Sequence, residues 1–322
     1  MIWRISVLTL LVCFSSCKKK SKAKKERIPK KAVNIDTRYN SKNHLIECED
    51  LKVLNTDSNV KLIDFRRPAA FFKEHIPNAI NIWRTDIEDS SFPYEGIMAS
   101  KNQIENLFSS LGIKTKDELI IYDDSGACNA LRLWWVLKNY GFDHVKILNG
   151  GFTQWKSIKG AVTTDVTVYS PSHFKFLNNT NTSLYASLEE MKSVTNSSSN
   201  SVILDTRTVN EFSGKRQKKG ASRAGHIPNS ILIDWVHAID YNGNKKFKPY
   251  KELLELYKQH GITKEKAIYV YCHSGVRSAH TTFVLTELLG FKNVKNYDGS
   301  WVEWSYYKDL PIEEDRLTTI FK

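Results

Sequence analysis

A chain of 322 residues that is 41% hydrophobic and 25% charged has room for two ordinary domains, each with its own core. It is too polar to be embedded in a membrane and too apolar to be disordered. Its net charge of +12 suggests a nucleic-acid binder, but residues 18–38 hold ten Lys/Arg (Lys18, Lys19, Lys20, Lys22, Lys24, Lys25, Arg27, Lys30, Lys31, Arg38) against Glu26 and Asp36, so most of the excess sits in one short tail. A run this dense repels itself and reads as a solvated tether, and the nearly balanced remainder argues against a nucleic-acid partner.

In chain order, Met1-Ile2-Trp3-Arg4 supplies a positive start and Ile5 to Phe14 an apolar run too short to span a bilayer. Ser15-Ser16 then precede Cys17. This resembles a bacterial lipoprotein signal, in which the cysteine is lipidated and becomes the mature N-terminus. Residues 1–16 are therefore expected to be a signal peptide, 17–40 a lipidated basic tether with Cys17 as the anchor, and the protein an exported lipoprotein of the cell envelope. An ordinary signal peptide cut near the same place is the alternative. No later segment is long and apolar enough to cross a membrane. Cys48, Cys128 and Cys272 are spaced too widely for a disulfide framework or a zinc site.

The body is one pattern written twice. Leu62-Ile63-Asp64-Phe65-Arg66 and His75-Ile76-Pro77-Asn78 return as Ile203-Leu204-Asp205-Thr206-Arg207 and His226-Ile227-Pro228-Asn229. Leu111-Gly112-Ile113, Tyr140-Gly141-Phe142 and Asn149-Gly150-Gly151 with Trp155 return 149 residues later as His260-Gly261-Ile262, Leu289-Gly290-Phe291 and Asp298-Gly299-Ser300 with Trp304. The wider Asp-to-His spacing in copy two marks an insertion within Ser213–Arg223. Domains are expected at 41–160 and 183–322, with a linker at 161–182. In copy two the patterns predict strands at 202–205, 231–233, 268–271 and 294–297, and helices at 188–194, 250–260, 276–289 and 301–306. Alternation of this kind predicts α/β domains with parallel sheets, whose ligands bind where strands end and helices begin.

The segment that carries chemistry runs from Tyr269 to Ala279, where a predicted strand ends at Tyr271, Cys272 opens a short loop and a helix starts at Val276. Backbone N–H groups and a helix N-terminus favour negative charge there and would lower the thiol pKa; Gly275 allows a tight turn and Arg277 adds positive charge. Asp-x-Arg, His-Ile-Pro, Cys-x-x-Gly-x-Arg and Asp-Gly-x-x-x-x-Trp occur in this order in copy two, and copy one keeps the order with Asp123 for the Cys, Cys128 for the Arg and Asn149 for the Asp. Over residues 45–310 this set resembles the tandem rhodanese family of sulfurtransferases. The resemblance implies two rhodanese-like domains, each a five-stranded parallel sheet flanked by helices. It also implies sulfur transfer from thiosulfate or 3-mercaptopyruvate to a thiol or cyanide through a Cys272 persulfide, with no metal or organic cofactor. In copy one Asp123 stands opposite Cys272, so that copy is expected to be inactive.

His273, Ser274, Gly275, Val276, Arg277 and Arg223 are expected to bind substrate, with His273 at the rim and Arg277 either an anion ligand or a brace for the loop. Asp205, Arg207 and His226 read as structural support. Cys128 reads as a small residue at a helix start, Trp134 and Trp135 as packing. Glu211 occupies a position where some family members carry an anion-binding arginine, and the basic run Lys215–Lys219 reads as an exposed loop with a supply of positive charge as its other role. A phosphatase or arsenate reductase would need one more residue between Cys272 and Arg277 to encircle a phosphoryl group. A persulfide carrier without turnover has the same sequence signature as the enzyme.

Overall fold

The computed structural model describes residues 38–54, 59–196 and 200–314. The expected signal peptide and Cys17 lie outside the described residues.

Copy one comprises β1 (Leu45–Ile46), α1 (Cys48–Leu54), β2 (Val60–Asp64), α2 (Pro68–Lys73), β3 (Ile80–Asn81), α3 (Lys101–Ser110), β4 (Glu118–Tyr122), α4 (Ala130–Asn139), β5 (Val145–Leu148) and α5 (Gly151–Ser157). Copy two repeats the series as β6 (Tyr185–Ala186), α6 (Leu188–Thr195), β7 (Ser201–Asp205), α7 (Val209–Phe212), β8 (Ser230–Leu232), α8 (Tyr250–Lys258), β9 (Ala267–Tyr271), α9 (Val276–Phe283), β10 (Val294–Tyr297) and α10 (Ser300–Tyr306). The sheets run β1-β5-β4-β2-β3 and β6-β10-β9-β7-β8, every pairing parallel. The apolar runs of the central strands follow from this: a strand covered by helices on both faces has no polar side. The helix expected over 276–289 changes at Val284 into a π-helical turn ending at Leu288. The two-residue strand β6 and the one-turn helix α7 carry too little periodicity to read from sequence.

Two connections differ from expectation. The stretch 161–182 is not a free linker but a strap over copy one. Phe174 is fully buried against Phe108 and Phe142, with ring centroids 5.0 and 5.7 Å apart, and Phe176 is buried beside it. Residues 38–40, assigned to the tether, dock on copy two: Asn40 donates its N–H to the Leu288 carbonyl at 2.8 Å and Tyr39 its hydroxyl to the Lys248 carbonyl at 2.9 Å. The copies share one apolar core, in which α4 packs on α9 and Trp134 meets Phe283 edge-to-face at 4.9 Å.

Candidate active site

β9 is central in its sheet, and the loop Cys272–Gly275 joins its C-terminal end to α9. Gly275 takes φ 72°, and a Cβ there would lie 2.6 Å from Arg132 Nη1 and 2.7 Å from the Asp298 carbonyl oxygen, so only glycine fits. Ser300 ties the loop from below. Its Oγ accepts from the N–H groups of Cys272 (3.2 Å) and Gly275 (3.0 Å) and donates to the Tyr297 carbonyl (2.8 Å). Ser300 does this from φ 52°, in the left-handed region. The Cys272 and His273 carbonyls in turn accept from Trp301 and Val302 at the start of α10.

The Cys272 side chain is 1% exposed, yet it is not sealed among apolar groups. Ser278 donates its hydroxyl to Sγ at 3.4 Å, and the N–H groups of Ser274 and Ser278 also point at the sulfur. Burial pushes the thiol pKa up; Arg277 and these donors outweigh it and bring the value down to about 7. Arg277 is itself gripped by Glu211 through two parallel hydrogen bonds of 2.7 and 2.8 Å. Glu211 is placed for this by α7, where it forms a capping box with Thr208. Burial works to raise the Glu211 pKa, but Arg277 and Thr208 hold its carboxyl well below the usual range.

The remaining expected residues divide. Ser274 is buried and accepts from Arg84 Nη2 of copy one at 3.1 Å. Val276 is buried in the shared core, so it and Gly275 shape the loop through their backbone and size. His273, expected at the rim, is buried; its Nε2 meets the Lys219 carbonyl at 3.0 Å and pins the inserted segment over the loop. Burial first, then Lys218, pushes the His273 pKa down to about 3, so the ring is neutral. Arg223, expected to bind substrate, does not face the sulfur. Its guanidinium donates to the carbonyls of Trp304, Ser305, Tyr307 and Leu310, closing the C-terminal end of α10 where a cation is favoured.

Asp205 and Arg207 form a buried pair at 2.7 Å that also reaches the Gly225 carbonyl, and His226 stacks on Phe212 with centroids 3.6 Å apart. Copy one repeats both devices with Asp64–Arg66 and with His75 on Phe71.

Copy one also repeats the cradle, with a different occupant. Asp123 Oδ1 accepts from the N–H groups of Ser125 and Ala127, each at 2.9 Å, and Oδ2 from Asn129 (2.7 Å) and Ala130 (3.1 Å). Ser125 and Asn129 stand two and six residues after Asp123, as Ser274 and Ser278 stand after Cys272. A carboxylate fills the site that the sulfur occupies in copy two. Burial pushes the Asp123 pKa up, and the four N–H donors oppose it, so the cradle is one that favours an anion.

A family model for the Rhodanese-like domain matches residues 47–158 and 184–306. The chain belongs to the rhodanese-like family. It is a sulfurtransferase of rhodanese type with two tandem domains. A Mycobacterium tuberculosis protein provisionally named a thiosulfate sulfurtransferase is 35% identical over 257 residues, which are 76% of this chain and 88% of that protein. The sulfur carrier protein TtuD of Thermus thermophilus is 33% identical over 277 residues, covering 83% of this chain and 92% of the relative. The anaerobic ergothioneine biosynthesis enzyme of Chlorobium limicola, solved with trimethyl histidine, shares the fold: TM-score 0.74, 20% identity, 84% of this chain and 70% of that one.

The part that three residues play around the Cys272 loop escapes motif reading. Arg84 belongs to the other copy, Ser300 lies 28 residues downstream of Cys272, and Lys218 lies in the insertion. Lys218 is an exposed residue, and desolvation first, then the charge of Arg277, lowers its pKa, with Glu211 and Cys272 opposing. A lysine in a basic run gives no sequence signal that it is the one whose charge couples to Cys272.

Proposed function

We propose that Cys272 is the nucleophile and that thiosulfate is the donor. The Cys272 thiolate attacks the outer sulfur of thiosulfate, the donor's S–S bond breaks, sulfite leaves with the bonding electron pair, and a Cys272 persulfide anion remains. A thiolate or cyanide acceptor then attacks the outer sulfur and leaves with it, restoring the thiolate. This is covalent catalysis in two half-reactions, and steady-state kinetics are expected to be ping-pong.

The observation that carries the reading is the shared anion cradle. Copy one holds a carboxylate with the amides at positions +2 and +6, and copy two directs the same two amides at a thiol whose pKa falls to about 7. The names of the relatives and the positive charges of Lys218 and Arg84 favour a small, strongly anionic donor over a carboxylate donor such as 3-mercaptopyruvate. Phosphoryl chemistry is disfavoured because Arg277, the arginine that would clamp a phosphate, is taken by Glu211. A second reading, storage of sulfur rather than turnover, is supported by the near-complete burial of Cys272 and by the sulfur carrier among the relatives.

Intact-mass measurement after incubation with thiosulfate or 3-mercaptopyruvate tests the chemistry. One added sulfur on the wild type and none on Cys272→Ser is expected, with thiosulfate the more effective donor. Equal labelling of Cys272→Ser would overturn the assignment. Continuous thiocyanate production with cyanide separates enzyme from carrier, which would stop after one sulfur per chain. From sequence alone we also propose lipidation at Cys17 and a place in the cell envelope; Cys17→Ala is expected to release the protein from membranes, and retention would refute it.

A further inference from the structure

The Cys272 site is completed by the copy that has no cysteine at this position. Arg84 opens a 3-10 turn just after β3 of copy one (Arg84–Ile87). The matching turn of copy two opens with Trp235, which packs on His280 inside the protein, so the two copies use this position differently. Arg84 reaches across the domain boundary and donates from Nη2 to Ser274 Oγ at 3.1 Å. Its ion pair with Glu88, from the same Nη2, is long at 3.4 Å. Its Nε is buried with no hydrogen-bond partner. A buried guanidinium donor without an acceptor is costly, and it stands beside the loop that has to receive an anion.

The approach is built into the fold. Gly96 of copy one packs so tightly on Ser274 that a Cβ on it would lie 2.6 Å from the Ser274 Cβ. Arg132 on α4 bonds both to the Gly96 carbonyl (2.7 Å) and to Asp298 of copy two (2.6 Å). These contacts hold Arg84 in register with the loop. The Arg84 side chain keeps 28% of its surface exposed, whereas Cys272 keeps 1%. Arg84 is thus open to solvent where the sulfur is not.

Charge completes the argument. Arg277 is neutralised by Glu211, so it tunes the thiol but has little left for a second anion. Among the described residues, Arg84, whose pair with Glu88 is long, and Lys218 are two cations close enough to act on each other electrostatically. Thiosulfate carries two negative charges, and after sulfur transfer the departing sulfite carries both.

We propose that Arg84, supplied by the inactive copy, is a specificity-determining residue that binds the sulfonate end of a dianionic sulfane donor, with Ser274 and Lys218 beside it. This rests on the assignment of Cys272 as nucleophile. In the transfer step the sulfonate end stays with Arg84 as the S–S bond breaks, and sulfite leaves from there.

The test compares thiosulfate, a dianion, with benzenethiosulfonate, a monoanion that also delivers its terminal sulfur. Full-length wild type, Arg84→Gln, Arg84→Lys and Cys272→Ser are assayed with cyanide as acceptor. For Arg84→Gln, KM for thiosulfate is expected to rise about tenfold or more, the loss of one charge-assisted contact, with kcat within about threefold. The rise is expected to be smaller for benzenethiosulfonate, and Arg84→Lys is expected to recover most of the thiosulfate affinity. An equal penalty for both donors, an unchanged KM, or a fall in kcat alone would overturn the proposal and leave Arg84 as a brace for Ser274. If Arg84→Gln folds poorly, Arg84→Met, which also removes the charge and keeps the length of the side chain, decides by the same ratio of donors. Turnover by Cys272→Ser would instead sink the nucleophile assignment, whatever Arg84 does.

Discussion

Cys272 titrates where a cell lives. With a pKa near 7, its reaction with iodoacetamide is expected to be half-maximal at about that pH and to fall about tenfold per pH unit on the acid side, because only the thiolate attacks. Arg277→Met removes the main charge that opposes burial and strands Glu211 nearby, so the midpoint is expected to move up by about 1–2 units. An unmoved midpoint in the alkylation-rate profile would mean that the amides alone lower the pKa. Ser300 supports the loop through one oxygen and an uncommon backbone conformation, and two substitutions separate these. Ser300→Gly and Ser300→Ala both lose the acceptor for Cys272 N–H and Gly275 N–H, so kcat is expected to fall about tenfold in each. Ala must also adopt φ 52° and is expected to have the lower Tm. Equal Tm values for the two variants would remove backbone strain from the account.

At the level of elements, the insertion in copy two has two parts with different tasks. Its middle lies over the Cys272 loop, held by the contact between His273 and the Lys219 carbonyl. Its end is bolted to α10 by Arg223, whose donors take four carbonyls. Arg223→Ala is therefore expected to cost about 1–3 kcal/mol of stability, seen as a lower Tm, and to leave KM for thiosulfate unchanged. A higher KM with an unchanged Tm would return Arg223 to the substrate site. The basic run Lys215–Lys219 is exposed, as its sequence without an apolar face suggests; what lays it over the loop is the contact of the Lys219 carbonyl with His273, which local sequence does not encode.

At the level of the whole molecule, the duplication did not yield two independent bodies. Trp134 of copy one and Phe283 of copy two lie in one apolar core, the strap 161–182 closes over copy one, and residues 38–41 cross to copy two. Unfolding is expected as a single calorimetric transition over both copies, and two resolved transitions would contradict this. Trp134→Ala, at a position with no solvent exposure, is expected to cost about 3–5 kcal/mol and to lower the same single transition. The retention of a copy with Asp123 in place of a cysteine has a physical reason in this arrangement. Copy one supplies half of the core, and Arg132, Gly96 and Arg84 support the loop that copy two uses.

The sequence by itself determined the duplicated α/β architecture, the loop around Cys272, the carboxylate of Asp123 at the matching place in copy one and the repeated Asp-x-Arg and His-Ile-Pro motifs. All of these rest on local patterns: apolar runs, motif order, a glycine where the chain must turn, and a carboxylate where a thiol would be needed. The tertiary structure alone decided which cations surround the sulfur, where Arg223 points, that His273 is buried, and that the connecting stretch is a strap. Those are questions of which distant side chains meet, and an arginine or lysine reads the same in sequence whether it caps a helix, faces solvent or reaches across a domain boundary to another copy's loop.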